Sequence, residues 1–474
     1  MNWDEYARWG KEISDWGADY HKTLRDRPVR AQVAPGDIAA LLSLSPPEQG
    51  EDMAVIMEDF ERVVMPGITH WQHPRFFAYF PSNASPPAIL ADFLTSTMAV
   101  NSLLWQTSPA ATEMETRMME WLRQAVGLSG DFAGVIQDSA SSATLAAVLT
   151  MRERSLNWQG NTKGLSSMPA LRLYCSGEVH SSIDRAVWVA GLGDSNIVRL
   201  PIEGPLRGLR AEAMRAAIIS DIAAGYKPAG IIASTGATGA GSCDSIRDIA
   251  EIAKEFDLYL HVDAAWAGSA MICPEFRELW DGIDAADSIV FNPHKWLGVQ
   301  FDCSAHFLKN PEDLVRTLAI QPEYLKTHGQ DGLINYSEWS IPLGRRFRAL
   351  KLWFLLRNYG LEELRNRIRN HVEWSLVMAE TLRNTENFEI VTEPILSLFT
   401  FRYAPAGATG LAALNQKLVD EINDDGRIYL TQTLIDGEKV IRFQVGQFDC
   451  TQEDITFAYN VICEIAGRQD VSYG

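Results

Sequence analysis

Lys295 lies in Asn292-Pro293-His294-Lys295-Trp296, directly after the apolar stretch Ser288–Phe291. A lysine at the carboxyl end of a strand can condense with an aldehyde cofactor. A lone lysine is ordinarily a surface residue, so its companions decide the matter. Asp263 closes a second apolar stretch, Leu258-Tyr259-Leu260-His261-Val262. A carboxylate in that setting needs a partner, because burying an unpaired charge is costly. A protonated ring nitrogen is one such partner; a helix N-cap or an ion pair is the plainer one. In Gln137-Asp138-Ser139-Ala140-Ser141-Ser142-Ala143-Thr144, small hydroxyl residues open a predicted helix. Free N–H groups at a helix start make an anion site, although simple capping by Ser or Asp explains the same residues. His180 follows another predicted strand, where its flat imidazole can stack on a ring, or serve only as a loop residue.

All four signals require elements that bring strand ends together. Strands are predicted at Phe132–Gln137, Leu171–Cys175, Asn196–Pro201, Ala229–Ser234, Leu258–Asp263, Ser288–Phe291 and Ser304–Leu308. Helices fall between several of them, at Ser139–Arg154, Ser181–Ala190, Ala211–Ala224 and Ser245–Phe256. Strands alternating with helices point to an α/β domain with a mainly parallel central sheet. Ligands of such sheets bind beyond the carboxyl ends of the strands, where Lys295, Asp263, Ser139 and His180 all fall. Residues 1–85 read as an N-terminal helical arm whose Trp3, Tyr6, Trp16 and Tyr20 need another surface to pack on. Residues 86–355 form the large α/β domain. Residues 356–474, with a helix over Leu361–Arg383 and strands at Phe388–Val391 and Val440–Val445, form a small C-terminal α+β domain.

Composition narrows the function. The chain has 474 residues and a net charge of −19, which repels nucleic acid and anionic membranes. A site for an anionic cofactor must therefore be a local exception. The acidic start lacks the pattern of a signal peptide, and no apolar run reaches membrane-spanning length. Six cysteines without CxxC spacing give no zinc site and no disulfide scaffold, and fit a cytoplasmic protein. Gly236-Ala237-Thr238-Gly239-Ala240-Gly241 matches neither the dinucleotide fingerprint nor a phosphate loop. Met118, Met119, Trp121 and Leu122 are expected to be helix core.

As a set, these segments resemble the group II pyridoxal-phosphate (PLP) decarboxylases, especially the aromatic-L-amino-acid decarboxylases. The matching stretches are His70-Trp71, His73-Pro74-Arg75-Phe76-Phe77-Ala78-Tyr79-Phe80-Pro81, Ser139-Ala140-Ser141, His261–Ala265, Asn292–Trp296 and Ile341-Pro342-Leu343-Gly344-Arg345-Arg346-Phe347-Arg348, in family order. The resemblance covers nearly the whole chain and implies the fold-type-I, PLP-dependent transferase-like architecture. It implies that Lys295 carries PLP, that Asp263 pairs with the pyridine nitrogen and that His180 stacks on the ring. Ser139, Ala140, Ser141, Asn292 and His294 would hold the phosphate, with Thr238, Ala265 and, more weakly, Asp244 beside the cofactor. Tyr324, followed by the polar lid Thr327–Gly332, would return a proton to Cα.

The resemblance further implies a substrate wall of Trp71, Tyr79, Phe80, Pro81 and Ser82 with Gly344 beside it, and Asn101 and Leu103 reaching a partner's site in a homodimer. An aromatic amino acid suits such a wall, and glycine at 344 leaves room for indole or catechol rings. Tyr324 favours amine over aldehyde, since aldehyde-forming relatives carry phenylalanine there. The alternatives are an aromatic aldehyde synthase and a non-catalytic PLP binder. Asp138 and Gln72 depart from the mammalian pattern, and Asp138 is expected to turn away from a phosphate it would repel.

Overall fold

In the computed structural model, described here for residues 1–320 and 333–470, the chain divides into two compact units. One comprises Ser82–Val372 and the other Met1–Pro81 with Glu373–Gly474.

The Ser82–Val372 unit is built on a seven-stranded sheet. Its strands are β1 (Ala133–Gln137), β2 (Leu171–Ser176), β3 (Ile197–Leu200), β6 (Lys227–Ser234), β7 (Tyr259–Asp263), β8 (Ser288–Phe291) and β9 (Ser304–Leu308). A short hairpin, β4 (Ile202–Glu203) and β5 (Gly208–Leu209), follows β3. The sheet order is β1-β9-β8-β7-β6-β2-β3. From β3 through β8 all pairings are parallel; β9 runs antiparallel to both β8 and β1. Every residue of β7, β8 and β9 is buried. Their near-continuous apolar runs are what a sheet covered on both faces requires. The helix Ile246–Glu255 turns Ile246, Ile249, Ala250, Ile252 and Ala253 inward, the stripe of an amphipathic helix.

Helix Pro109–Val126 packs so closely on β1 that a Cβ on Gly134 would stand 2.4 Å from Met119 Cε. Met118, Met119 and Leu122 are buried on that helix as expected, whereas Trp121 is 36% exposed. Trp121 sits at the edge of the buried stripe, where its large ring reaches solvent. The helix expected at Leu361–Arg383 is present, separated from a preceding helix that starts at Ala349 by a break at Gly360 (φ 70°, ψ 169°). Glycine alone adopts that backbone conformation readily.

In the other unit, helix Trp3–Lys22 starts on a capping box, with Asn2 accepting from Glu5 N–H and Glu5 reaching back to Asn2 N–H. A four-stranded antiparallel sheet, β10 (Phe388–Ile395), β11 (Leu398–Tyr403), β12 (Thr431–Ile435) and β13 (Glu438–Gln444), lies in the order β10-β11-β13-β12. The N-terminal segment shares this unit's core. Phe77 stacks on Phe443 with centroids 4.5 Å apart, and Arg25 and Arg75 both pair with the buried Asp454.

Candidate active site

Parallel β6, β7 and β8 end side by side, and the residues that follow them build the site. Asp263, the last residue of β7, is buried and accepts a hydrogen bond from Ala265 N–H at 3.0 Å. Its register partners are Ser234 on β6 and Val290 on β8. The turn after β8 is tied to the one after β7, because Asn292 N–H donates to the Ala265 carbonyl at 2.9 Å. Lys295 lies in the single helical turn Pro293–Trp296, and its N–H donates to the Asn292 carbonyl at 2.9 Å. Asn83, fully buried, donates to the Lys295 carbonyl at 2.7 Å. The neighbouring Trp296 is buried, stacks on Trp266 at 5.0 Å and donates to His371 Nδ1 at 2.9 Å. The lysine backbone is therefore held from three sides.

His180 follows β2. Its Nδ1 accepts from Ser182 N–H at 3.1 Å, so the neutral ring presents an Nε2–H donor. Desolvation lowers its pKa; the charge of Asp263 opposes the shift and that of Lys295 adds to it. His294 Nδ1 likewise accepts from Cys303 N–H at 2.9 Å. Burial, reinforced by Lys295, holds this imidazole down at about 3, so it is neutral with Nε2–H available. Asn292 Oδ1 accepts the Ser304 hydroxyl at 2.5 Å, which leaves the amide N–H₂ as donor.

The anion site expected at 139–141 is the start of helix Ala140–Ser155. Ser139 caps it, its hydroxyl oxygen accepting from Ser142 N–H at 3.2 Å, and the first-turn N–H groups have no acceptor within the helix. Asp138 Oδ1 lies 3.1 Å from Ser139 Oγ, which donates to it. Nearby in sequence to the Gly344 loop, Arg348 pairs with Asp302 at 2.8 and 3.1 Å. Burial lowers the Arg348 pKa, but the bonds and charge of Asp302, with the charge of Asp138, outweigh it and raise the net value.

These residues fit PLP. Helix-start amides, the Asn292 amide and His294 Nε2–H are the donors a phosphate needs. The buried Asp263 suits a cationic pyridine nitrogen, and the small Ala140, Ala143 and Ala265 pack with Val290 in one cluster nearby. Thr238 is half-buried in the turn after β6, which closes through Gly236 N–H to the Ser242 carbonyl at 2.9 Å. Asp244 is buried; burial pushes its carboxyl up to about 6, although the Ser234 and Leu209 N–H groups it accepts pull the other way.

Of the expected substrate residues, Trp71, Tyr79, Phe80 and Pro81 belong to the unit containing the N-terminal segment. There Trp71 stacks on Tyr79 at 5.7 Å, and Arg442 lies over the Phe80 ring at 5.2 Å. Ser82, Asn101, Leu103 and Gly344 belong to the sheet-bearing unit. Asn101 Oδ1 accepts from Arg345 N–H at 3.0 Å, and a Cβ on Gly344 would stand 3.8 Å from Asn101 Nδ2. Tyr324 and the lid Thr327–Gly332 lie outside the described residues. Sequence reasoning missed Asn83 and the Arg348–Asp302 pair. Asn83 directly follows the Trp71–Ser82 stretch, and Arg348 ends the quoted Ile341–Arg348 motif, so position was the available signal.

Comparison with known proteins gives the same outline. Residues 35–404 match the family described as pyridoxal-dependent decarboxylase conserved domain. The chain is 40% identical to aromatic-L-amino-acid decarboxylase of Rattus norvegicus, over 98% of each chain. It is 35% identical to phenylacetaldehyde synthase of Arabidopsis thaliana, over 98% of this chain and 96% of that one. Its fold superposes on a crystal structure of Oryza sativa TDC with PLP and tryptamine at a TM-score of 0.96, with 33% identity and 99% of both chains covered.

Proposed function

Because this chain belongs to the pyridoxal-dependent decarboxylase family, we propose that it converts an aromatic L-amino acid to the arylethylamine and CO2, with Lys295 as the anchor for PLP. The observation that carries the reading is that His180, Asp263 and Lys295 lie at or just after the carboxyl ends of β2, β7 and β8, in the parallel run of one sheet. Bound there, the cofactor supplies an electron sink for the pair released when the Cα–carboxylate bond breaks. Asp263 keeps a proton on the ring nitrogen, and the Ser139–Ser141 helix start, Asn292 and His294 take the phosphate. His180 would lie against the ring face, with Thr238 and Ala265 flanking it. Tyr324 delivers the proton that replaces the carboxylate at Cα.

Trp71, Tyr79, Phe80, Pro81, Ser82 and Gly344 form the proposed aromatic wall, with Asn101 and Leu103 contributed across a dimer. Such a wall would hold an acidic side chain poorly. Tryptophan, phenylalanine, tyrosine and their hydroxylated relatives are the candidate substrates. The test incubates the PLP-loaded enzyme with these amino acids and glutamate, and measures CO2, amine, aldehyde and peroxide. Aromatic amine without peroxide supports the reading; aldehyde with peroxide moves the protein to the synthase class, and silence supports a non-catalytic binder. In the same assay Tyr324→Phe should retain PLP and shift product from amine to aldehyde and peroxide. Unchanged amine production would remove Tyr324 from the proton-transfer step.

The proposed homodimer rests on helix Pro86–Met98, which exposes Ile89, Leu90, Phe93, Leu94 and Met98. The segment with exposed Ile341 and Leu343 is tied to this helix by Arg346–Asp92 at 3.2 Å. Apolar surface of that extent marks an interface. Phe93→Asp places a charge at its centre and should weaken dimerisation about 100-fold or more, as read by light scattering across a dilution series. A dimer of unchanged affinity would exclude this face. The three-segment organisation, with residues 1–85 as a dimer-forming arm, and cytoplasmic residence belong to the same proposal. Among the described residues, no helix is long and apolar enough to cross a membrane.

A further inference from the structure

The hairpin β4–β5 stands apart from the seven-stranded sheet, yet it is fastened to two loops of the site. On one side Leu209 N–H donates to Asp244 Oδ1 at 2.7 Å, while Asp244 Oδ2 accepts from Ser234 N–H at 2.7 Å. Cys243 N–H donates to the Leu206 carbonyl at 2.9 Å. Backbone meets backbone so closely that a Cβ on Gly208 would stand 2.6 Å from the Cys243 carbonyl oxygen. The hairpin is thus bound to the carboxyl end of β6, where Ser234 pairs with Asp263 and Thr235 N–H donates to the Asp263 carbonyl at 3.0 Å.

On the other side Arg207, at the turn of the hairpin with φ 51°, reaches Glu178. Arg207 Nη2 lies 3.4 Å from Glu178 Oε1, with side chains 16% and 20% exposed. Glu178 is two residues before His180, and its own N–H donates to Ser176 Oγ at 3.2 Å. An ion pair shielded from solvent is less screened than a surface one and can fix a loop. The path from Asp263 through Ser234, Asp244, Leu209 and Arg207 to Glu178 therefore joins the carboxylate loop to the histidine loop across the hairpin.

We propose that Arg207 and Glu178 are positioning residues that set the His180 imidazole relative to Asp263, with the β4–β5 hairpin as the brace between them. The inference rests on the reading that His180 faces the cofactor ring. Neither residue need touch substrate or cofactor, so their loss should lower kcat and leave KM and PLP content near wild type. A misplacement of about 1 Å at a catalytic group can cost up to about 100-fold, and a drop of about 10-fold to 100-fold is expected.

The test compares wild type, His180→Ala, Arg207→Met, Arg207→Lys and Glu178→Gln as PLP-loaded enzymes. It measures kcat, KM and the circular dichroism of the visible cofactor band, which responds to the asymmetric surroundings of the ring. Arg207→Met and Glu178→Gln should both reduce the ellipticity and kcat in the sense of His180→Ala, with the absorbance retained. Arg207→Lys should recover part of both, because the charge remains and the forked geometry is lost. The double variant Arg207→Met/Glu178→Gln should be no worse than either single one, since one pair is being broken. If His180→Ala changes neither kcat nor ellipticity, the placement of His180 fails and this inference with it. If His180→Ala changes both while Arg207→Met and Glu178→Gln match wild type, the brace alone is overturned.

Discussion

Lys295→Ala should abolish the Schiff-base absorbance band of the PLP-loaded protein and lower kcat/KM by three orders of magnitude or more, about the scale seen when a covalent group is removed from an active site. The fold should survive. The helical turn Pro293–Trp296 is held by Asn83 on the Lys295 carbonyl, by Asn292 on the Lys295 N–H and by the buried Trp296, and none of these bonds uses the lysine side chain. The apo variant should therefore melt close to the apo wild type. PLP should still bind, though more weakly, because the Ser139 helix start, Asn292, His294 and Asp263 remain. The measurement is an absorbance titration with PLP beside a thermal melt. A Schiff-base band, distinct from that of the free aldehyde, that persists after dialysis would take the anchoring role from Lys295. A lost band accompanied by a collapsed melting temperature would mean that the lysine is structural.

Much of this site was legible because its residues lie at the ends of strands buried on both faces. β8 and β9 have the bounds expected from their apolar runs, Ser288–Phe291 and Ser304–Leu308, and β7 differs by one residue. Solvent exposure on one face would have blurred those runs. The direction of β9 was not legible, since a short apolar stretch reads the same parallel or antiparallel. Long-range pairing was hidden for the same reason. Asp244 and Leu209 are 35 residues apart, and Asn83 and Lys295 are 212 apart. The sharing of one unit by Met1–Pro81 and the C-terminal sheet likewise depends on contacts such as Phe77 on Phe443, which no local pattern encodes. The Arg348–Asp302 pair was hidden in the same way, its members 46 residues apart.

Among the arginines of Leu343-Gly344-Arg345-Arg346-Phe347-Arg348, sequence could not tell which is buried, and that distinction has the largest stability consequence. Arg346 is exposed, whereas Arg345 and its partner Glu115 have side chains only 2% and 3% exposed. β1 is the edge of the sheet, so its outward-facing backbone groups need partners from elsewhere. Glu115 Oε1 accepts from Ile136 N–H at 2.9 Å and from Arg345 Nη2 at 2.7 Å, while the same Nη2 donates to the Ile136 carbonyl at 2.7 Å. The pair thus closes the edge strand and fastens the Gly344 loop, which Asn101 and Ser102 hold through Arg345 N–H and the Arg345 carbonyl.

Removing one member of a buried pair leaves the other as an uncompensated charge, at a cost of about 3–5 kcal/mol. Glu115→Ala should therefore lower the unfolding free energy by about that amount in a denaturant titration. Glu115→Gln retains an acceptor oxygen and should lose less, about 1–3 kcal/mol. Because the loop that carries Gly344 is the part released, Glu115→Gln should raise KM for the aromatic substrate more than it lowers kcat. Glu115→Ala within about 1 kcal/mol of wild type, below the range of a broken buried pair, would show that the Arg345 charge has another counterion. A fall in kcat at unchanged KM would separate the Gly344 loop from substrate binding.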